Sequence, residues 1–362
     1  MNRTEMPSFA HGFSVADLYR RDGLLRLDEI FLSELGATDP ALCQELVQAR
    51  GRAADVSRSA ASDLAIRIAP KLEEFLARLF GVQTELALLQ QRHKDLEPLF
   101  RIKREFVQRQ AAKKIKPQEA AQFNGEALFE QLQQLLGAPF REELFAHKVS
   151  GWLLDEAANA QPLAVAQQYA AWAVHTAAGR ERHHGGLLFK VPGNIDPMNL
   201  VRPAQWQDDG GVPQFRIRPD HIRRREGFGL TDAGFDLAGA LDQAHYCIQC
   251  HPQKKDSCSD GLKERPSKDA PQTVVYKKSA FGVALSGCPL EERISEFHLL
   301  KSQGCPIGAL AMITVDNPMV AGTGHRICND CMKACIFQAQ DPVDIPQAET
   351  GVLTDVLGMP WG

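Results

Sequence analysis

Eight of the nine cysteines in this 362-residue chain lie between Cys247 and Cys335, while Cys43 stands alone. Four of the eight form two C-x2-C pairs, at 247–250 and 328–331. Two residues between thiols allow a turn to direct both sulfurs at one metal ion, or at two irons of one cluster. The chain therefore carries a cysteine pattern that is typical of metal or redox chemistry.

Each pair is followed by a further cysteine, Cys258 after the first pair and Cys335 after the second, and Cys288 before Pro289 adds a seventh thiol. Two 4Fe–4S clusters need eight ligands, so this set predicts an iron–sulfur protein. Structural zinc is the alternative, because two C-x2-C pairs also form a four-cysteine zinc signature, although usually with a shorter gap between the pairs. Inert buried thiols are the third interpretation.

The bulk composition is that of a soluble globular protein, with 44% hydrophobic residues, 24% charged residues and a net charge of −4. This balance gives no general attraction to nucleic acid or to anionic membranes. No apolar run approaches the roughly 18–20 residues that span a bilayer. An export signal is not evident and the cysteine count is odd, so we expect a cytoplasmic protein without a disulfide framework, a membrane span or a nucleic-acid partner.

The elements that must position the cysteines begin with a long helical region, predicted for residues 14–178. Apolar residues from Leu64 to Leu79 recur at spacings of three and four, which predicts a helix with Ser62 or Asp63 as its cap. Further helices are expected at about 85–114, 125–136 and 161–178. The glycines expected to end helices are Gly81, Gly137 and Gly179.

Residues 179–235 are rich in Gly, Pro, Arg and Asp, and we expect a connecting segment with short strands near 187–191 and 214–217. Helical pattern resumes near Thr231, a possible cap, and leads into the first cysteine pair. The predicted class is mainly α. An N-terminal helical bundle or docking domain at 1–178 and the irregular segment at 179–235 precede a cysteine domain at 236–362.

From His245 onward, about a third of the chain resembles the N-terminal iron–sulfur domain of the glutamate synthase small subunit and of dihydropyrimidine dehydrogenase. The segments that carry the resemblance are CIQC (247–250), GCPLEERISEF (287–297), GALAMITVDNP (308–318), GHRICNDCMKAC (324–335) and PVDIPQAET (342–350). The resemblance implies a small α-helical ferredoxin-like domain with two 4Fe–4S clusters. It also implies one-electron transfer inside an oxidoreductase that uses NAD(P)H and FAD.

Carried over residue by residue, the resemblance implies two crossed ligand sets. One set is Cys247, Cys250, Cys258 and Cys335; the other is Cys288, Cys328, Cys331 and Glu349. Gln347 is the fallback for Glu349, and a carboxylate would alter the potential of that cluster because oxygen is a harder donor than thiolate. Cys258 is the least certain thiol, since its gap to Cys288 is longer than in the family, and Cys305 is expected to be a buried or spare thiol.

The chain has no G-x-G-x-x-G phosphate loop, so the resemblance places FAD and NAD(P)H on an absent C-terminal domain or on a partner subunit. The expected partner is thus a flavin-containing oxidoreductase domain or subunit, in a homo- or hetero-oligomer, and no catalytic residue is assigned to this chain. The rival hypothesis is a zinc-stabilised helical interaction protein without a redox role.

Overall fold

The computed structural model describes residues 9–200, 205–210, 212–217, 222, 226–229, 232–253, 255–265 and 274–360. These residues are mainly helical, which confirms the predicted class in its coarse form. Among them, none of the helices combines the length and the apolar character that a bilayer crossing requires.

Nine α-helices make up the first half of the described chain. They are α1 (Arg21–Thr38), α2 (Pro40–Gly51), α3 (Arg58–Phe80), α4 (Gln83–Ile102), α5 (Pro117–Ala120), α6 (Gly125–Leu136), α7 (Glu142–Trp152), α8 (Ala160–His175) and α9 (Ala177–Arg182). Short 3₁₀ turns lie at Ala10–Gly12, Val15–Tyr19, Ala53–Asp55 and Leu153–Asp155. A π-helix, Lys103–Ala112, continues α4.

Helices α1 to α3 pack on one another through Phe31, Leu35, Leu42, Leu64 and Phe75. The helix predicted from the apolar stripe is present, but it begins at Arg58, so the predicted cap was wrong. Ser57 is the cap, and its hydroxyl accepts a hydrogen bond from the Ala60 N–H at 3.3 Å. The predicted start lay too far along the chain because the first turn of α3 is not buried and carries no periodic apolar residues. At the other end, Gly81 has a φ of +67° and ends α3 as predicted.

Helices α4 to α8, with the π-helix, enclose the largest core, in which Phe106, Phe145 and Tyr169 are fully buried. The helices predicted at 85–114 and 125–136 are present. The one predicted at 161–178 instead ends at His175, and Gly179 lies inside α9. A Cβ atom on Gly179 would lie 2.5 Å from the Trp172 carbonyl oxygen, so this glycine serves the close approach of α9 to α8.

The strand expected near 187–191 is absent from the structure. The backbone N–H groups of Leu187 and Leu188 instead donate to the Glu142 carboxylate, at 2.8 and 3.1 Å, and Leu188 and Phe189 insert into the core. The strand expected at 214–217 overlaps the second strand of a hairpin. That hairpin pairs β1 (Gln205–Asp209) with β2 (Val212–Arg216) in antiparallel register.

Seven helices lie in the described part of the C-terminal unit. They are α10 (Leu237–Tyr246), α11 (Ser257–Asp260), α12 (Ile294–Ser302), α13 (Pro306–Asp316), α14 (Val320–Ile327), α15 (Asp330–Ala334) and α16 (Ile345–Leu357), with a 3₁₀ turn at His251–Gln253. The expected cap Thr231 lies outside the described residues; Asp236 caps α10 by accepting the Gly239 N–H at 2.8 Å.

Helix α3 packs on α13, so the N-terminal helices and the C-terminal unit share a core. Ala69 of α3 lies in the same apolar cluster as Phe297, Ile313 and Val352. The buried Glu73 carboxylate accepts the N–H groups of Ile307 and Gly308, at 2.7 and 3.1 Å, and thereby satisfies the first turn of α13. The scaffold around the cysteines therefore includes a helix from far upstream in the sequence.

Candidate functional site

Four of the predicted ligands line one small cavity, which we call the four-thiol cavity. They are Cys247, Cys250, Cys258 and Cys335. The other lining residues, Ile248, Ile336, Phe337, Val343 and Ile345, are all apolar. The cavity thus brings sulfurs from three separate segments of the chain into an apolar enclosure.

A tight turn directs the first cysteine pair at the cavity. Cys247 follows the last residue of α10, and its N–H still donates to the Gln243 carbonyl at 3.0 Å. Gln249 has a φ of +54°, in the left-handed region that non-glycine residues rarely adopt. Its backbone N–H lies 3.4 Å from the Cys247 sulfur and donates to it. This turn places the Cys250 side chain on the same cavity as Cys247.

The other two thiols of the cavity interact directly. Cys258 lies in α11 and Cys335 directly follows α15. The Cys258 thiol donates a hydrogen bond to the Cys335 sulfur, which lowers the pKa of Cys335 and raises the pKa of Cys258. The backbone N–H groups of Phe337 and Val343 also donate to Cys335 and contribute to the lowering of its pKa. Cys335 therefore accepts three hydrogen bonds, each of which favours its thiolate form.

Burial has the opposite effect on the first pair. It raises the pKa of Cys247 to about 12 and that of Cys250 to about 11. An apolar enclosure disfavours isolated thiolates, whereas a bound cationic centre compensates their charge and keeps them deprotonated. The donor set, four soft sulfurs in an apolar enclosure with N–H groups directed at two of them, fits an iron–sulfur cluster.

A second set of predicted ligands forms a separate group, the thiol–carboxylate group, defined by Cys288, Cys331 and Glu349. Burial and then the negative charges of Cys288 and Glu349 raise the pKa of Cys331 well above its ordinary value. Burial also raises the pKa of Cys288. The backbone N–H groups of Glu292 and Leu290 donate to its sulfur, which opposes this rise but does not cancel it. The three side chains are therefore close enough to influence one another electrostatically.

Glu349 is a buried carboxyl group in α16. Burial, followed by the charge of Glu292, raises the pKa of Glu349 to about 8, and its Oε1 accepts a hydrogen bond from Asn317 at 2.9 Å. Gln347, the fallback ligand, donates instead to the Asp344 side chain at 3.0 Å, beside the start of α16. Of the two candidates, Glu349 is the one that shares the environment of the thiols.

The remaining predicted ligand, Cys328, differs from the others because its side chain is exposed. It follows the last residue of α14, three positions before Cys331. The structure thus brings four of the predicted ligands to one cavity and three to the thiol–carboxylate group, and it leaves Cys328 at the surface. The ligand role of all eight residues stays a prediction.

The two cysteines outside the predicted ligand sets have other partners. Cys305 is buried at the start of α13, where its thiol hydrogen bonds with the Glu73 carboxylate. Cys43 is half-buried, and its thiol donates to the Leu32 carbonyl at 3.4 Å. Both positions are those of thiols that pack between helices.

Two histidines beside the first cysteine pair do not point at the sulfurs. The ring of His245 stacks on Phe100 at 4.7 Å, and burial lowers the pKa of His245 to about 4. The Nδ1 atom of His251 hydrogen bonds with the Ser295 hydroxyl. These rings therefore anchor the turn to α4 and α12.

One residue near both groups was not found from the sequence. Arg58, the first residue of α3, hydrogen bonds with the hydroxyl of Ser259, next to Cys258. It also donates to the Glu291 carbonyl at 3.1 Å and pairs with the Glu291 carboxylate at 3.3 Å. Only the tertiary fold brings this arginine to residues that lie more than 200 positions away.

Across the parts of the chain that the structure describes, no three or more His, Cys, Asp or Glu side chains are arranged to hold a single metal ion. In a 4Fe–4S site each protein ligand binds a different iron, so the ligands surround a cluster rather than one point. The predicted cofactors therefore stay predictions.

Comparison with known proteins gives two similar curated relatives, both from Rickettsia prowazekii (strain Madrid E). The chain is 30% identical over 288 residues to the uncharacterized protein RP005, an alignment that covers 78% of this chain and 94% of the relative. It is 64% identical over 44 residues to the uncharacterized protein RP006, covering 12% of this chain and 6% of that protein. The family model of the RP005 N-terminal alpha-helical domain matches residues 9–81. No solved structure matches the chain.

These findings correct the family resemblance drawn from the sequence. The assignment to the iron–sulfur domain of the glutamate synthase small subunit and dihydropyrimidine dehydrogenase is wrong, because the matching family model and the long alignment both lead to RP005. The resemblance depended on short motifs around cysteines in about a third of the chain. C-x2-C pairs recur wherever thiolates bind metals, so short motifs of this kind do not identify a family.

Proposed function

The chain belongs to the RP005 family, and on that premise we propose that its residues 236–362 bind two 4Fe–4S clusters and relay single electrons. The finer fold class, an α-helical ferredoxin-like domain, is part of this proposal. The proposal that the chain binds clusters does not depend on the discarded family resemblance, because its support comes from the placement of the thiols.

The observation that carries the proposal is the four-thiol cavity. Its sulfurs belong to three separate segments of the chain, yet they meet in one apolar enclosure; they are those of Cys247, Cys250, Cys258 and Cys335. Chance burial of inert thiols gives no reason for four of them to share one small cavity. Ligation of a polynuclear centre gives that reason, because each iron needs its own thiolate.

The chain's own groups would support such a centre in two ways. Backbone N–H groups of Gln249, Phe337 and Val343 donate to sulfurs of the cavity, and such donors stabilise negative charge there and shift the redox potential. The apolar walls exclude water, which also influences the potential. When bound, a 4Fe–4S cluster takes up and releases one electron at a time.

The second cluster is assigned to the thiol–carboxylate group together with Cys328, which shares a C-x2-C pair with Cys331. The charge of Glu349 contributes to raising the pKa values of both Cys288 and Cys331, and Cys328 would supply the fourth donor from the adjoining turn. The flavin-containing partner with FAD and NAD(P)H, which the overturned resemblance implied, stays a prediction.

Metal analysis of the full chain tests the proposal. Purified without oxygen, it should contain about eight irons and about eight sulfides, as two 4Fe–4S clusters require. It should absorb broadly in the visible range, lose that absorbance with dithionite and regain it with an oxidant. Zinc in place of iron, or iron that does not respond to reduction, would contradict the proposal.

A matched pair of variants tests the ligand assignment. Cys258→Ala should lose about half of the iron, one cluster of two. Cys43→Ala, which alters a half-buried thiol in the N-terminal helices, should keep all of it. Equal iron in both variants would remove Cys258 from the four-thiol cavity's ligand set.

A further inference from the structure

A β-structured projection separates Cys258 from Cys288, and we call its residues 262–265 and 274–285 the tongue. Three short extended runs form it. The Glu264 N–H donates to the Val275 carbonyl at 2.8 Å, the Lys277 N–H to the Leu262 carbonyl at 2.8 Å, and the Leu285 N–H to the Lys277 carbonyl at 2.9 Å. The last turn, at Ser279–Gly282, is the tip. The backbone of the tongue is thus internally bonded.

The base of the tongue lies where the two ligand groups touch. The Cys288 N–H donates to the carbonyl oxygens of Cys258 and Ser259, at 2.8 and 3.1 Å. Gly261 and Gly287 flank this contact with φ values of +89° and +84°. A Cβ atom on Gly287 would lie 2.6 Å from the Gly261 nitrogen. The backbone segments at these two glycines therefore pack together without room for a side chain. The tongue therefore projects from the junction of the four-thiol cavity and the thiol–carboxylate group.

The surface of the tongue combines exposed apolar and basic side chains. Phe281 at the tip is 62% exposed and the neighbouring Val283 is 61% exposed. Lys277 and Lys278 are exposed beside them. The tongue, as defined by its described residues, contains four Lys or Arg and one Glu, whereas the whole chain has a net charge of −4. The tongue is thus a basic, apolar-tipped projection on an acidic protein.

From these observations, and resting on the proposed electron-transfer function, we propose that the tongue docks an acidic one-electron carrier protein. Basic residues around an apolar centre suit an acidic partner, because opposite charges steer the encounter and the apolar tip supplies buried contact area. Lys277 is joined by backbone hydrogen bonds to Leu262 and Leu285 at the base of the tongue, so a partner docked on Lys277 lies close to the ligand segments of both groups. The same positive charges would also attract an anionic membrane, so binding to lipid vesicles is the outcome that separates a membrane from a carrier protein.

Binding of two well-defined carriers tests this proposal on the full chain. The probes are an acidic plant-type 2Fe–2S ferredoxin and, for comparison, basic cytochrome c. We expect the wild type to bind the ferredoxin with an affinity that falls as salt is added, and to bind cytochrome c less tightly. The double variant Lys277→Glu/Lys278→Glu should bind the ferredoxin about tenfold more weakly at low salt, because it reverses the charge beside the tip.

Matched controls separate the tongue from general charge and hydrophobicity. Lys113→Glu/Lys114→Glu makes the same charge change at two exposed neighbouring lysines outside the tongue and should bind as the wild type does. Phe281→Ser should weaken binding several-fold, whereas Leu154→Ser, at an exposed leucine elsewhere, should not. Circular dichroism of each variant identifies any loss of folding.

The outcomes are distinguishable from failure of the proposed function. No ferredoxin binding by the wild type, or equal loss in the tongue and control variants, would overturn the docking role. So would tongue-dependent binding to vesicles of phosphatidylcholine and phosphatidylserine in place of the ferredoxin. A protein that lacks iron but binds the ferredoxin through the tongue would overturn the electron-relay function and leave the docking element in place.

Discussion

The four-thiol cavity and the thiol–carboxylate group differ in their donors and in their access to solvent. The first is built from four sulfurs within apolar walls, whereas the second combines two thiols with the buried carboxyl group of Glu349 and lies near a second one, Glu292. Cys328, assigned to the second group, is exposed. Because carboxylates titrate and are harder donors than thiolates, the second group should be the more sensitive to pH and to loss of iron.

The two groups nevertheless share one scaffold. Cys331 lies in α15 and Cys335 directly follows it, so one short helix serves both groups. The backbone contact between Cys258 and Cys288 joins them a second time. Their expected difference therefore comes from donor chemistry and exposure, since the supporting elements are common to both.

The largest expected effect comes from removing one thiol of each group. Cys335→Ser and Cys331→Ser should each lose about four of about eight irons, but from different clusters. The reduced variants should then show different electron paramagnetic resonance spectra, which together account for the spectrum of the wild type. Cys305→Ser, at a buried thiol paired with Glu73, should keep all of its iron.

Identical spectra from the Cys335→Ser and Cys331→Ser variants would contradict the assignment of these two thiols to different clusters, because both thiols would then bind the same one. Iron loss in Cys305→Ser would add a ligand that neither group contains. Complete loss of iron in either variant would mean that the clusters assemble only together.

Gly287→Ala should disturb both groups at once, because it acts at their shared backbone junction. The left-handed conformation and the contact with Gly261 together should lower the free energy of unfolding by roughly 3 kcal/mol. Gly282→Ala is the matched control. Its φ is also positive, +76°, but no atom lies within 4 Å of the new Cβ, so the expected cost is roughly 1 kcal/mol.

The shift in the urea midpoint, together with iron analysis, measures the effects of these two glycine variants. Equal shifts for the two variants would show that the crossing at Gly261 and Gly287 is not tightly packed. Iron lost from only one cluster in Gly287→Ala would show that the junction supports that group alone.

Helical periodicity predicted much of the fold because it is a local property. The apolar stripe on α3, the long segment that begins with α4, and α6 follow directly from side-chain spacing. Residues 187–191 were mistaken for a strand because the N–H groups of Leu187 and Leu188 bond to Glu142, a partner about 45 positions away that no local pattern reveals. The start of α3 was misplaced for a simpler reason, since its first turn is exposed and carries no apolar signal.

The cysteine pattern identified the candidate ligands, but the way they group depends on the tertiary fold. Spacing alone left clusters, zinc and inert buried thiols open; the division into two sets came from a family resemblance that the comparisons overturned. Yet the structure assembles Cys335 with Cys247, Cys250 and Cys258 and not with its neighbour Cys331, because a turn after α15 directs it into the cavity. The role of Arg58 was beyond sequence reasoning, since a lone arginine at the start of a helix carries no motif.

The smallest expected effect, a pH dependence of stability, isolates the carboxyl donor. In the cluster-free protein the pKa of Glu349 is raised to about 8 from its ordinary value of 4.5, so between these values the folded chain binds a proton that the unfolded chain releases. The free energy of unfolding should therefore fall as pH rises through this window. Asp256 and Glu292, whose pKa values burial raises to about 7 and about 6, add to the slope, so Glu349→Gln should reduce it without abolishing it. Glu119→Gln, at an exposed position, should leave the slope unchanged.

Loading the clusters should remove the part of the slope that Glu349 contributes, because a carboxylate bound to iron stays deprotonated throughout the window. Urea midpoints at pH 5 and pH 8, for cluster-free and loaded protein, measure both effects. If Glu349→Gln changes the slope of loaded protein as much as it changes that of cluster-free protein, Glu349 does not bind iron, and the second cluster must take its fourth donor elsewhere. If Glu349→Gln leaves the slope of cluster-free protein unchanged, the carboxyl group is not buried as described, and the contrast between the two groups rests on the exposure of Cys328 alone.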